Sequence, residues 1–240
     1  MTVLPYENSK LDKRGQVEQM FNSIAHRYDF LNHFLSLGID IYWRKRAIGL
    51  LKKEKPGLLL DVATGTADFA ITAFRSGAKN VIGIDISENM LAFGRIKLKE
   101  KGLSNNIELI HGDSENLPFK DNFFDAITVS FGVRNFQHLE KGLVEMARVL
   151  KPGGRLVVLE FSKPQKFPIK QLYNFYFKHI LPKIGNIVSK DNAAYTYLPE
   201  SVNQFPEGSK FIQILQYSGY YETQCIPLTF GICSIYTAIK

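Results

Sequence analysis

Cysteine is nearly absent: of 240 residues only Cys225 and Cys233 carry a thiol. Two are too few for a disulfide framework or a zinc site, and both read as small apolar residues of a core. No apolar run approaches the roughly 20 residues needed to cross a bilayer. The first residues, with Glu7, Lys10 and Asp12, lack the apolar core of a signal peptide, so a cytoplasmic location is expected. Acidic residues are the scarcer charge, 23 against 30 basic ones, which leaves a net charge of +7. That balance favours an anionic partner such as a membrane surface or nucleic acid. There is no internal repeat, no low-complexity segment and no clustered set of metal ligands. What the chain has in quantity is apolar surface, 45% of its residues, enough to bury the core of one α/β domain with additions.

The distribution of those apolar residues sets the architecture. Residues 1–13 are polar and aperiodic, the pattern of a flexible tail. Val17, Met20, Phe21 and Ile24 fall at helical spacing, Tyr28, Leu31 and Leu35 continue the stripe, and a second helix is expected from Ile41 to Lys53. Strand-like runs at 58–63, 80–85, 107–111, 124–130 and 155–161 alternate with helical stretches near 67–76, 88–101 and 138–150. Such alternation implies a parallel sheet covered on both faces. The stop Pro152-Gly153-Gly154 separates the last of these helices from the strand beginning at Arg155. Two final strands, 220–226 and 231–239, turn around Pro227 and read as an antiparallel hairpin. The expectation is an α/β fold over residues 14–240, with 14–55 as an N-terminal helical cap and 165–205 as an insertion facing substrate or membrane.

The first strand ends in Asp61-Val62-Ala63-Thr64-Gly65-Thr66-Ala67-Asp68, and the second in Gly83-Ile84-Asp85-Ile86-Ser87. A strand, a small-residue loop opening a helix, and a second strand closed by a carboxylate describe a nucleotide-shaped pocket. A dinucleotide site would need three glycines, because pyrophosphate must approach the backbone closely. This loop has one, Gly65, which suits S-adenosylmethionine better than NAD. Asp85, twenty residues on, can accept both ribose hydroxyls; its alternative is to cap the next helix, a role Ser87 could fill. Asp61 can face a cationic group. Asp113 and the Ser114 backbone follow the third strand and are placed for adenine, although Asp113 alone also reads as a turn residue. At the end of the fourth strand, beside the first, Ser130 should flank the sulfonium and Arg134 should face the methyl acceptor.

Taken together, these motifs resemble the quinone-biosynthesis C-methyltransferases, the demethylmenaquinone and ubiquinone methyltransferase family. The likeness rests on Phe21-Asn22 with Ile24-Ala25, Tyr28-Asp29 with Asn32, Ser36 and Gly38, Trp43-Arg44, and Ser130-Phe131-Gly132-Val133-Arg134-Asn135. It continues through Arg148-Val149-Leu150-Lys151-Pro152-Gly153-Gly154 and Leu159-Glu160-Phe161-Ser162-Lys163-Pro164 to Tyr197-Leu198-Pro199-Glu200-Ser201. The loop around Gly65 is poorer in glycine than is usual in that family. The resemblance implies a class I S-adenosylmethionine-dependent methyltransferase, Rossmann-like, with a seven-stranded mostly parallel sheet. It also implies Thr66, Asp85, Asp113, Ser114 and Ser130 as cofactor contacts.

The activity implied is transfer of the sulfonium methyl to a ring carbon of a reduced, prenylated quinol, which needs in-line alignment and loss of a proton. The motifs converge on Arg134 for oxyanion stabilisation or water orientation, Asn135 and Tyr28 for holding ring oxygens, and Asp29 for orienting or deprotonating. A guanidinium is a poor base, so the proton acceptor is a carboxylate or a polarised water. His26 and His33 read as helix-face residues before they read as bases. Phe167, Ile169, Leu172, Tyr173, Tyr176 and Ile180, with Lys166, Lys170, Lys178 and Lys183 around them, make a basic aromatic stripe suited to a membrane surface, a cavity lid or a homodimer interface. Against an RNA substrate stand the scattered basic residues and the missing Asn/Asp-Pro-Pro-Tyr signature. Another phenol or lipid, or nucleotide binding without catalysis, are the remaining rivals. The expected partner is therefore the prenylated quinol and no nucleic acid, with naphthoquinol preferred over benzoquinol, and no metal is required.

Overall fold

The computed structural model describes residues 3–6, 8–176, 179 and 193–240. Seven strands form one sheet: β1 (Leu58–Val62), β2 (Asn80–Asp85), β3 (Ile107–His111), β4 (Phe124–Ser130), β5 (Leu150–Phe161), β6 (Tyr221–Leu228) and β7 (Cys233–Ile239). Their spatial order is β3-β2-β1-β4-β5-β7-β6. β7 is antiparallel to both β5 and β6, and the pairs among β1 to β5 are parallel. The expected mostly parallel sheet with a C-terminal antiparallel hairpin is thus present, with β7 wedged between β5 and β6.

Alternation along the strands separates two cores, because successive side chains point to opposite faces. Leu59, Ala126 and Val157 face α3 (Ile39–Ile48), α4 (Asp68–Arg75) and α5 (Glu88–Glu100). Their neighbours Leu60, Ile127 and Val158 face α6 (Leu139–Val149) and α9 (Ser209–Tyr217). Local chemistry sets the helix starts: Ser87 Oγ accepts from Met90 N at 3.2 Å to cap α5, and Asp12 accepts from Gly15 N at 2.9 Å to cap α1 (Lys13–Ile24).

Two elements differ from the sequence expectation. β5 begins at Leu150, because Lys151-Pro152-Gly153-Gly154 is a large bulge within the strand instead of a break before it. The partner register jumps from Phe124↔Leu150 to Ala126↔Arg155, and Gly153, at φ +77°, donates to the carbonyl of Lys240 at 2.6 Å. The helix expected over 41–53 is α3, which starts earlier behind a left-handed Gly38 and gives way to a 3-10 turn over Gly49–Leu51. Its pattern is inverted in the first turns: Asp40 and Arg44 are buried, whereas Ile39, Ile41 and Tyr42 are exposed.

The N-terminal helices α1, α2 (Tyr28–Leu35) and α3 lie over the end of the sheet that carries the β1 and β4 tips. Val17 and Met20 of α1 pack with Tyr197 of α8 (Ala193–Gln204), and Ile24 packs with Met90 of α5. Within the segment read as a tail, Val3 N donates to Gln204 Oε1 at 3.2 Å and Tyr6 N to Gln16 Oε1 at 2.9 Å. In the expected insertion, α7 (Ile169–Phe175) and α8 are described. Lys178, Ile180 and Lys183 of the basic stripe, and the Leu31 and Leu35 side chains, lie outside the described residues. Cys225 and Cys233 are unpaired thiols. Among the described residues no helix is long and apolar enough to cross a membrane.

Candidate active site

The tips of β1 and β4 are adjacent, and both are bent sharply. Ala63 and Phe131 adopt φ of +53° and +57°, a left-handed backbone that side chains disfavour. The two turns also touch: a Cβ on Gly132 would lie 2.5 Å from the Cβ of Ala63. This close approach opens a cavity of about 690 Å³, mouth included, above β1, β2 and β4.

Asp85 lines that cavity from the end of β2. One of its oxygens accepts from Gly65 N at 2.8 Å and the other from Ser87 N at 2.9 Å, so each keeps a lone pair for a ligand hydroxyl. Burial raises its pKa above the usual carboxylate range, although the backbone N–H groups of Ser87 and Gly65 pull the other way. Gly65, Asp113, Ser114 and Ser130 line the same space. Asp113 is tied to Arg14 of α1 at 2.8 Å and accepts from Glu115 N at 2.9 Å. Ser130 Oγ and Asn135 Oδ1 are buried without a protein partner, two orphaned polar atoms facing a nucleoside-sized cavity that has no cradle for phosphate. These residues fit S-adenosylmethionine.

Three residues expected at this site lie elsewhere. Asp61 is fully buried below the cavity, and its two oxygens accept from Thr64 Oγ1 and Thr128 Oγ1, each at 2.7 Å, so it faces no cation. Burial without a paired charge pushes its pKa up to about 6, against the pull of the two threonine hydroxyls. Thr66 donates to Asp29, and Lys97 of α5 pairs with Asp29 and, at 2.8 Å, with Asp68. Thr66 and Asp29 therefore belong to an ion network behind the loop, and neither lines the cavity; Asp29 is not placed to orient or deprotonate a substrate. Asn135 lines the nucleoside cavity and not the space where a ring would sit.

A second cavity, about 730 Å³ with its mouth, adjoins the first across a shared wall of Phe21, Tyr28 and Phe131. Met20, Ile24, Phe161 and Leu198 make it largely apolar. Arg134 enters from the turn after β4, where its Nη1 donates to Glu160 at 2.7 Å and to the carbonyl of Phe131 at 2.5 Å. Glu160 is fully buried; burial raises its pKa, and the Arg134 charge opposes that. Lys13 of α1 holds this turn by donating to the carbonyls of Arg134 at 3.1 Å and Phe136 at 2.8 Å. Burial, with the Arg134 charge, lowers the Lys13 pKa to about 8. Burial also raises the Tyr28 phenol above its ordinary value, against a hydrogen bond with Asn32, which keeps its hydroxyl protonated.

The opposite wall is Ser36, Asp40 and Arg44. Asp40 accepts from Ser36 Oγ at 2.7 Å and Arg44 Nη1 at 2.5 Å, and His33 Nδ1 lies at 2.9 Å. Burial raises the Asp40 pKa, but the Ser36 bond and the Arg44 charge outweigh it and hold the carboxyl below its usual range. Arg44 Nε, Arg134 Nε and Tyr197 Oη are buried with no protein partner. An apolar slot with such orphaned donors suits a flat ring that carries oxygens.

The profile of the ubiE/COQ5 methyltransferase family matches residues 8–240. The chain belongs to that family. The demethylmenaquinone methyltransferase of Bacteroides fragilis is 51% identical over 239 residues, covering 99% of this chain and 97% of its own. The ubiquinone/menaquinone biosynthesis C-methyltransferase UbiE of Geotalea daltonii is 44% identical over 234 residues, with 96% and 99% covered. A solved SAM-dependent methyltransferase from Thermotoga maritima shares the fold, with a TM-score of 0.66 at 19% identity over 92% of this chain and 99% of its own. The fold is that of the class I S-adenosylmethionine-dependent methyltransferases, and S-adenosylmethionine is the methyl donor.

In this ubiE/COQ5 chain the structure brings Tyr28 and Arg134 to the second cavity, and Gly65, Asp85, Asp113, Ser114 and Ser130 to the first. Sequence reasoning assigned no role to Arg14, Lys13, Met90 or Gln137, which reach the site from helices and loops with no motif of their own. Ser36, Arg44, Glu160 and Tyr197 sat inside quoted motifs without a role. Asp40 carried one usable signal, a charged i, i+4 pair with Arg44 on the face of α3 that also holds Trp43 and Ala47.

Proposed function

We propose that this protein transfers a methyl group from S-adenosylmethionine to a ring carbon of a reduced, prenylated quinone, with demethylmenaquinol as substrate and menaquinol as product. The observation that carries this reading is the shared wall: a nucleoside-sized cavity and an apolar slot meet at Phe21, Tyr28 and Phe131, and the slot is lined by Arg134 and Arg44. The names of the Bacteroides and Geotalea relatives point the same way. When bound, the cofactor supplies an electrophilic methyl on a sulfonium.

This chain's residues then do the following. Asp85 accepts the ribose hydroxyls, Ser114 and Asp113 border the base, and Ser130 Oγ borders the sulfonium. Tyr28 and Tyr197 donate hydrogen bonds to the ring oxygens. Arg134 donates a hydrogen bond to a ring oxygen while Glu160 fixes its guanidinium. Phe131 and Phe161, 4.5 Å apart and stacked, give the ring an aromatic floor.

The quinol is a lipid, so the protein works at a membrane surface. Supporting this, Phe167, Leu172 and Phe175 are 81%, 62% and 58% exposed beside Lys166 and Lys170. A benzoquinol ring is a second reading, favoured by the double name of the Geotalea relative. Label transfer from methyl-labelled S-adenosylmethionine decides between them, with reduced naphthoquinone and benzoquinone acceptors offered in anionic liposomes and oxidised forms as controls. Methylation of the reduced naphthoquinone alone is expected. Methylation of both rings would mean a shared enzyme, and methylation of neither would overturn the proposal.

A further inference from the structure

Methylation of a ring carbon releases one proton, and most groups around the slot are unfit to take it. The Arg134 and Arg44 guanidiniums stay protonated. Tyr28 is a buried phenol, Glu160 is committed to Arg134 and lies outside the slot lining, and Asp29 is paired with Lys97 behind the loop. Among the described residues lining the slot, Asp40 is the single carboxylate.

We propose that Asp40 is the proton acceptor of the methyl transfer, held in place by Ser36, Arg44 and His33. The inference rests on the quinol reading above. As the ring carbon forms its bond to the methyl group, the methyl–sulfur bond breaks and sulfur keeps that electron pair. The ring is left with a positive charge and a tetrahedral carbon. The C–H bond at that carbon then breaks, its electrons restore the aromatic ring, and the proton passes to an Asp40 oxygen, from which it reaches solvent as product leaves. A C–H bond in such a cation is strongly acidic, so a carboxylate of low basicity is sufficient.

The geometry supports this assignment over a purely structural ion pair. Asp40 is buried at the slot wall, yet it is oriented from three sides: Ser36 Oγ at 2.7 Å, Arg44 Nη1 at 2.5 Å and His33 Nδ1 at 2.9 Å. Arg44 and His33 are in turn anchored on Asp68 of α4, at 3.4 and 3.6 Å. One cation, a hydroxyl and an imidazole thus keep an ionised carboxylate against an apolar slot, where an unsupported charge would be strongly disfavoured.

The test compares ring-protio with ring-deuterio demethylmenaquinol under saturating S-adenosylmethionine. In the unaltered enzyme, proton loss is fast and deuterium leaves kcat unchanged. In Asp40→Asn, kcat is expected to fall about a hundredfold, cofactor affinity to hold, and a primary isotope effect to appear because C–H cleavage has become slow. Should Asp40→Asn not fold, Asp40→Glu keeps Arg44 paired and carries the same test: the displaced carboxylate must also expose the isotope effect. A lowered kcat without an isotope effect, or a retained kcat, in the variant that folds would overturn the assignment. An unaltered enzyme that methylates neither quinol would overturn the quinol reading and this proposal with it.

Discussion

The two cavities that meet at Phe21, Tyr28 and Phe131 are built from different materials. The cofactor side is made by strand ends: Asp85 is held by two backbone N–H groups, Ala63 and Phe131 are bent into left-handed conformations, and Ser130 waits with an unpaired hydroxyl. The substrate side is made by helices and buried ion pairs, Arg134 with Glu160 and Arg44 with Asp40, set among aromatic and aliphatic side chains. Backbone donors are held by the chain itself and do not depend on any one side chain. Ion pairs in an apolar slot are costly if either partner is lost. The donor side is therefore tolerant of single side-chain losses in stability, and the acceptor side is not.

The sharpest way to break this comparison is at Arg134. Arg134→Ala leaves the fully buried Glu160 without its cation, and stability is expected to fall by about 3–5 kcal/mol in urea denaturation. Removing Glu160 as well, as Ala, should recover most of that loss but not turnover. A single variant as stable as the unaltered protein would show that the acceptor side does not depend on its ion pair.

The donor side contains one group that could blur the contrast, Asp61. Its carboxyl keeps a proton up to about pH 6 in the folded protein, whereas an unfolded aspartate releases it near pH 3.9. The folded state then binds more protons between these values, so this group's stabilising contribution is present at low pH and is lost as pH rises through the window. Relative to Asp61→Asn, the unaltered protein should lose about 3 kcal/mol between about pH 3 and pH 7. A flat difference across that range would mean that the two threonine hydroxyls support the charged form fully.

The smallest effect is expected at Ser130. Its hydroxyl has no protein partner, so Ser130→Ala should leave the unfolding midpoint of the cofactor-free protein unchanged or slightly raised. S-adenosylmethionine affinity measured by calorimetry should weaken about tenfold, the value of one hydrogen bond. Loss of stability without loss of affinity would place the hydroxyl in the fold and not in the cofactor site.

The legibility of the sequence follows the same division. Strand runs read from period-2 and continuous apolar patterns agree with the observed β1 to β4 to within a residue: β1 and β4 are buried on both faces and tolerate few polar residues, and the edge strand β3 alternates buried with exposed positions. Cofactor-side residues were readable because they sit at strand ends, a position that the sheet topology fixes: Asp85 and Ser130 are the last residues of β2 and β4. Asp61 shows the limit of that logic. It is one residue from its strand end, and the pleat sends it below the cavity to Thr64 and Thr128. The acceptor side was far less readable. Asp29 and Tyr28 are adjacent in sequence, yet the helical turn sends Tyr28 into both cavities and Asp29 to Lys97. Helix α3 was expected, but not that Asp40 and Arg44 on it point inward while Lys45 and Arg46 face out.

By itself, the sequence determined the sheet, the helices that cover it and the family, because hydrophobic burial is additive and local spacing decides which side chains can share a face. Only the tertiary structure decided which carboxylates are free to meet a ligand. Asp61, Asp29, Asp40 and Asp85 are indistinguishable as residues, and their roles depend on partners 2 to 68 positions away: Thr64 and Thr128, Lys97 and Thr66, Arg44 and His33, Gly65 and Ser87. Electrostatic and hydrogen-bond contacts act through space within a few ångströms, a distance that position along the chain does not encode.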